Sequence, residues 1–179
     1  MSCVRIRPTA TVAQSVLDKN EVCACRQDEG SVSLVKNQTG QQQGKFTYDH
    51  VFGDESQNSD VFAKLVEPLI SKAVQGYNVC IFTYGQTSSG KTHTMKGSEI
   101  DPGMIPLTLE KLFAAGQGDG QQVLSAAIDY VEIYNETIND LLKRGNANLE
   151  LKLDSNKGLK IAGLTQTEVT SVSEAIELL

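Results

Sequence analysis

Residues 85–92 read Gly-Gln-Thr-Ser-Ser-Gly-Lys-Thr, with two glycines and a Lys-Thr pair at the spacing G-x-x-x-x-G-K-[ST]. These residue types in this order suit a polyphosphate. Glycine lets the backbone approach a ligand that a Cβ would hold off, and successive amides can converge on phosphate oxygens where a helix begins. Lys91 would bring positive charge to the β- and γ-phosphates, and the Thr92 hydroxyl would ligate Mg²⁺. Gly85, Gln86, Thr87, Ser88, Ser89, Gly90, Lys91 and Thr92 are thus the candidate nucleotide-binding residues, and Thr92 is the candidate metal ligand.

Such a loop needs a rigid element on each side. Residues 79–84, Val-Cys-Ile-Phe-Thr-Tyr, form a short apolar run that predicts a strand buried on both faces of a parallel sheet. Before it, Val61, Leu65, Leu69 and Ala73 recur every four residues, with Phe62, Val66, Ile70 and Val74 beside them. That spacing predicts a helix with a broad apolar face, capped at Asn58 or Ser59, kinked at Pro68 and closed at Gly76. Together they make a βαβ crossover into the loop.

Further upstream, residues 3–7 alternate apolar and basic side chains and stop at Pro8, as a strand would. Residues 22–26 and 31–35 read as an antiparallel pair, and residues 38–44 as an exposed polar loop. Residues 45–52 alternate well enough for one strand, with Phe46, Tyr48 and Val51 or Phe52 inward and His50 structural. Downstream, an apolar helical pattern spans residues 104–115, a flexible connection 116–120, and a long strand 123–132. Ile133, Ile138, Leu141 and Leu142 point to a core. Residues 149–153 and 159–161 flank turn chemistry at 154–158 and predict a hairpin. Ser171 and Glu174 predict a capping box opening a final helix.

The whole is an ordinary α/β composition: 179 residues, 40% hydrophobic, 21% charged, net charge −6. An acidic balance with no basic run longer than Lys143-Arg144 argues against a nucleic-acid or anionic-membrane surface. No run has transmembrane length, and the start lacks the apolar region of a signal peptide. Cys23 and Cys25 lack a second ligand pair, so no zinc site is expected, while Cys3 and Cys80 are expected as buried core thiols. Reduced thiols fit a cytosolic or nuclear setting.

With these segments in place, the chain resembles the N-terminal half of a kinesin motor domain. Arg5-Ile-Arg-Pro8, Phe46-Thr-Tyr-Asp49 with Val51-Phe52, and Gly76-Tyr-Asn78 match family signatures. So do residues 84–87, residues 89–95, Gly103-Met-Ile-Pro106, residues 130–136, Asp140-Leu-Leu142 and Gly163-Leu-Thr165. Two places depart from the pattern: Leu107 stands where many kinesins have Arg, and Val79-Cys80 replaces a common Gly-Thr pair. CVRIRP, KGSE and YNETINDLL look most like the centromere-associated mitotic kinesins.

The resemblance implies an α/β, P-loop NTPase-type sheet flanked by helices, incomplete at the C-terminus, with residues 1–179 forming part of one motor domain. It implies ATP or ADP with Mg²⁺, the base framed by Arg5, Arg7 and Pro8 with His93 against its other side. It implies a microtubule partner, no nucleic acid or membrane, dimerisation only through segments absent here, and a cytoplasmic, cytoskeletal location with spindle or kinetochore as the finer option. The family's N-x-x-S-S-R-S-H and D-L-A-G-S-E segments, which position water and sense the γ-phosphate, do not occur in this sequence. The chain by itself is therefore expected to lack microtubule-stimulated ATPase activity, and its apolar strand to lose the neighbours that the family places beside it. Two other readings remain open. A generic P-loop ATPase or kinase would use residues 124–129 as its Mg²⁺-side strand, ending in Asp129; a degenerate motor would act only as an interaction module.

Overall fold

The computed structural model describes residues 1–8, 22–26, 28–36, 39–116, 126–154 and 158–179. These gather into two compact units, Met1–Leu107 and Thr108–Leu179. Parts of four expectations lie outside the described residues: Gln38 of the polar loop, the connection at 117–120, the first residues of the strand at 123–125, and the turn at 155–157.

In the first unit, β1 (Cys3–Arg5) pairs in parallel with β5 (His50–Phe52), Arg5 opposite Phe52. The predicted antiparallel pair is β2 (Val22–Arg26) and β3 (Ser31–Lys36), and a third strand, β4 (Gln42–Thr47), joins β3. Residues 42–44 are thus strand, not the expected loop. A ladder is made by backbone groups, which Gln and Gly offer as fully as Val does, and a register shift at Leu34/Val35 admits them.

The stretch 45–52 is two strands in different sheets rather than one. Between them Tyr48 N donates to Gly30 O (2.9 Å) and Asp49 N to Ser2 O (3.0 Å), and this redirects the chain. Val51 and Phe52 are buried as expected; Phe46, expected inward, is exposed. Cys3 and Cys80, expected buried, are exposed free thiols. Cys3 sits in a three-residue strand of a two-stranded sheet, too small to cover both faces.

The predicted helix starts one residue early, with Gln57 as its first cap: Gln57 N donates to the Asp60 carboxylate (2.9 Å). It runs as α1 (Asn58–Val61), a wide π-turn (Phe62–Val66) and α2 (Glu67–Val74). Pro68 falls in the first turn of α2, where a missing N–H costs little, so the distortion sits in the wide turn before it. Of the predicted apolar face, Val61, Phe62, Val66 and Ile70 are buried and Leu65, Leu69 and Ala73 half-buried, while Val74, in the last turn, is exposed. Gly76 closes the helix as read: its N–H reaches Ala73 O (2.9 Å) and Tyr77 N reaches Lys72 O (3.0 Å), the paired bonds of a Schellman ending.

Residues 79–84 form no strand among the described residues. A strand exists only through its ladder partners, and none of the described segments supplies one. Phe82 is 81% exposed and Tyr84 97% exposed, where burial on both faces was expected. Then follow α3 (Lys91–Met95) and the predicted helix α4 (Met104–Ala115), whose Met104 is buried.

In the second unit, β6 (Ala126–Ile128) pairs antiparallel with β11 (Thr167–Val169), and β7 (Val131–Tyr134) with β8 (Thr137–Asp140). The long strand expected over 123–132 is therefore interrupted at Asp129-Tyr130, because its two halves serve different partners. The β7–β8 turn places Asn135 at φ 48° and Glu136 at φ 61°, the geometry of a two-residue hairpin with both centres left-handed. Ile138 is buried, but Ile133 and Leu141, expected in the core, are exposed on this narrow ribbon. The predicted hairpin is β9 (Glu150–Asp154) with β10 (Gly158–Ala162). The final helix, α5 (Val172–Glu177), is capped by Ser171 Oγ, which accepts from Glu174 N (3.2 Å). The return arm differs from a strict box: the Glu174 carboxylate accepts from Thr170 N (2.8 Å), not from Ser171.

Asp140 organises much of this unit. Its buried carboxylate accepts from Leu142 N (2.9 Å), Lys143 N (3.2 Å), Asn146 Nδ2 (2.8 Å) and Thr165 N (2.9 Å). Burial pushes its pKa up, but the hydrogen bonds from Thr165, Asn146 and Leu142 outweigh that and hold it well below the usual carboxylate range.

Candidate functional site

The Gly-Lys-Thr segment sits where the chain turns into α3. Ser89 N donates to Gln86 O (3.2 Å), closing the loop on itself, and Ser88 stands at φ 63°. Gly90 is the residue before the helix, at φ 102° and ψ 10°, a conformation that a side chain would strain. A Cβ on Gly85 would stand 2.5 Å from Ser89 Oγ, so any larger residue there would have to push the Ser89 side chain aside. No side chain caps α3, which leaves its first-turn amides without that competitor for an anion. Lys91 lies back across the loop, its Nζ donating to Gly85 O (2.7 Å) and Gln86 O (2.6 Å). An ammonium held on two carbonyls is a charge stationed over the loop. Thr92 and His93 follow on the exposed side of α3, and Gln86 and Thr87 are exposed at the tip.

A polar cluster fastens α3 to the rest of the unit. Asn58 is its centre and is 0% exposed. Its Nδ2 donates to His93 O (3.1 Å) and to Asp101 O (3.0 Å), its backbone N donates to Asp101 Oδ1 (3.0 Å), and its Oδ1 accepts from Arg5 Nη1. Arg5 also donates to Thr94 Oγ1 (3.0 Å) and Ser56 O (2.9 Å). Burial lowers the Arg5 pKa, against which Asp101 and Asp60 act; the guanidinium keeps its charge at any ordinary pH. Asp101 Oδ2 lies 3.7 Å from His93 Nε2. Every described buried side-chain nitrogen and oxygen has a partner, so the cluster has no stranded group.

Among the residues singled out from sequence, the structure joins Arg7 to the loop, its Nη1 donating to Ser88 O. It joins Arg5 to the far end of α3 through Thr94, and that use turns the guanidinium inward. The His93 ring lies near the Asp101 carboxylate, and Pro8 is half-buried beyond β1. Asn58 and Asp101 were missed as site residues. The available signal was a polar Gln57-Asn58 pair at a helix start, which reads as capping alone; that Asn58 is fully buried depends on segments 35 and 43 residues away.

The family described as "Kinesin motor domain" matches residues 5–179. The chain belongs to the kinesin motor family. It is 39% identical over 134 residues to "Kinesin-like protein KIN-7O" of Arabidopsis thaliana, covering 75% of this chain and 10% of that protein. With "Kinesin-like protein KIN-7L" of Oryza sativa subsp. japonica it shares 36% over 181 residues, covering 98% and 28%. Identity to "Kinesin heavy chain" of Botryotinia fuckeliana is 38% over 141 residues, covering 76% and 16%. The chain thus spans between 10% and 28% of the length of these kinesins. Among solved structures, that of "a fast kinesin" superposes with a TM-score of 0.86 at 31% identity, covering 98% of this chain and 50% of the other. The fold is accordingly that of a kinesin motor, an α/β P-loop NTPase fold of which this chain carries part. Among the described residues, no helix is long and apolar enough to cross a membrane.

Proposed function

We propose that this chain is the ATP-binding portion of a microtubule-based kinesin motor, with residues 1–179 belonging to one motor domain. The observation that carries the reading is the stationing of Lys91 across its own loop, on Gly85 O and Gln86 O, at the uncapped start of α3. Residues 85–92 would bind the phosphates: amides of the loop and first turn as donors, Lys91 as the charge. Mg²⁺, when bound, supplies positive charge to the phosphate oxygens, and the exposed Thr92 hydroxyl would hold it. Arg7 braces the loop at Ser88, and Pro8 with His93 would border the base. Arg5 serves this site from behind, by holding α3. Tubulin is the proposed partner of the whole motor, and the cytoskeleton its location. A finer placement among centromere-associated mitotic kinesins rests on CVRIRP, KGSE and YNETINDLL alone.

The competing assignment gives Asp129 a role at Mg²⁺. Asp129 is exposed between β6 and β7, and its carboxylate lies 3.5 Å from Gln166 Nε2 in its own unit. A titration with Mg·ADP separates the two. Lys91→Ala is expected to abolish binding and Thr92→Ala to remove its Mg²⁺ dependence, while Asp129→Asn leaves both unchanged. An Asp129→Asn variant as impaired as Thr92→Ala would overturn the kinesin assignment of the metal site. GDP is expected to bind more weakly than ADP.

A further inference from the structure

The loop residues account for what would touch phosphate, but not for what keeps α3 in place beneath it. Five residues make α3, too few to hold an orientation on their own hydrogen bonds. Its anchorage comes from the buried cluster. Asn58 Nδ2 takes the His93 carbonyl at 3.1 Å and the Asp101 carbonyl at 3.0 Å, which ties the middle of α3 to the loop at 98–103. Asn58 Oδ1 takes Arg5, and Arg5 takes Thr94 one residue further along α3. Asp101, oriented by the Asn58 backbone N–H, faces the His93 ring. One amide therefore fixes two consecutive residues of α3, from both of its side-chain atoms.

We propose that Asn58 is a positioning residue for nucleotide binding. By holding His93 O directly and Thr94 through Arg5, it sets the direction of α3 and so the aim of the amides and of Lys91 at its start. The proposal rests on the nucleotide-binding reading above. An amide suits the task because it donates and accepts at one place. A carboxylate would keep Arg5 but turn an oxygen against two carbonyls, and an apolar residue would strand His93 O and leave Arg5 with Thr94 and Ser56 O, and Asp101 O with Ser98 N, as their remaining partners.

The test is a titration of this chain with Mg·ADP and, separately, with inorganic pyrophosphate. It compares wild type, Asn58→Ala and Asn58→Asp at a temperature where circular dichroism shows all three folded. Amide hydrogen exchange is followed in the same samples. Both variants are expected to bind either ligand roughly tenfold more weakly, the consequence of losing one buried hydrogen bond's worth of alignment. Exchange is expected to quicken in Lys91–Met95 while the β2–β3–β4 sheet keeps its protection, a local signature that general destabilisation does not give. Asn58→Asp separates the two arms: it retains the acceptor for Arg5, so its weakened binding assigns the effect to the His93 and Asp101 bonds. Wild-type affinity in Asn58→Ala, or exchange that rises equally in both regions, overturns the proposal. A wild-type chain that binds neither ligand removes the nucleotide-binding reading, and this inference with it.

Discussion

Asn58 and Asp140 are both buried polar side chains that draw together segments far apart in sequence, yet they do it by opposite chemistry. Asn58 is neutral, donates and accepts, and shares its oxygen with a cation, Arg5. Asp140 is charged and only accepts, and its donors include the backbone amides of Leu142, Lys143 and Thr165, the Asn146 amide and the Thr165 hydroxyl, none of them a cation. A carboxylate can be kept inside without an ion pair when dipoles supply the solvation that water gave up. The difference matters for what each cluster can respond to. Asn58 does not titrate, so acid removes nothing from its own side-chain bonds to His93 O, Asp101 O and Arg5. Asp140 does, so the fold of the second unit carries a term that acid can remove.

Three experiments would break or sharpen that contrast, the largest effect first. Asp140→Asn is the most damaging change expected in the second unit. It keeps the shape but turns an NH₂ group toward backbone N–H donors, leaving them unmatched in a buried place. The thermal midpoint is expected to fall by several degrees, and exchange to quicken around residues 140–149 and 163–165. A variant that melts with wild type would show that the donors find water instead and that the carboxylate is not an organiser. The reverse exchange, Asn58→Asp, should be milder in stability, because Arg5 stands ready to meet the new charge.

The second experiment is acidification. The folded-state pKa of Asp140 is depressed, so its contribution is present in full above the unfolded value near 3.9 and is lost as pH falls through that value toward the folded one. Exchange in the second unit should therefore quicken more steeply below about pH 4 in wild type than in Asp140→Asn, which has no such group to protonate. Identical acid profiles for the two proteins would remove Asp140 from the account.

The smallest effect is expected at α5. Ser171→Ala deletes the side-chain acceptor for Glu174 N, which should cost about 1 kcal/mol. It should fray a six-residue helix without touching the Asp140 cluster. Loss of protection at residues 140–149 in Ser171→Ala would mean that the second unit responds as one block, and that Asp140 is not a separable centre.

The sequence by itself determined whatever depends on local pattern or on residue identity at fixed spacing. The Gly-Lys-Thr loop is one such feature, because the phosphate contacts proposed for residues 85–92 lie in the loop's own backbone and in Lys91. The apolar face of the 58–74 helix, its Gly76 ending, the β9–β10 hairpin and the Ser171 cap are others: each is settled within a few residues by period, turn or cap. The family signatures were legible for the same reason. What tertiary structure decided was partnership. Residues 42–44 became strand because β3 offered an edge, and the predicted strands at 45–52 and 123–132 each split because their halves serve different sheets. The run at 79–84, apolar enough to be a central strand, is left with Phe82 and Tyr84 exposed, since side-chain pattern cannot supply a ladder. Asn58 and Asp140 make the point most directly. Each is an ordinary polar residue in the sequence, and each became an organising group only when distant segments surrounded it and left its hydrogen bonds nowhere else to go.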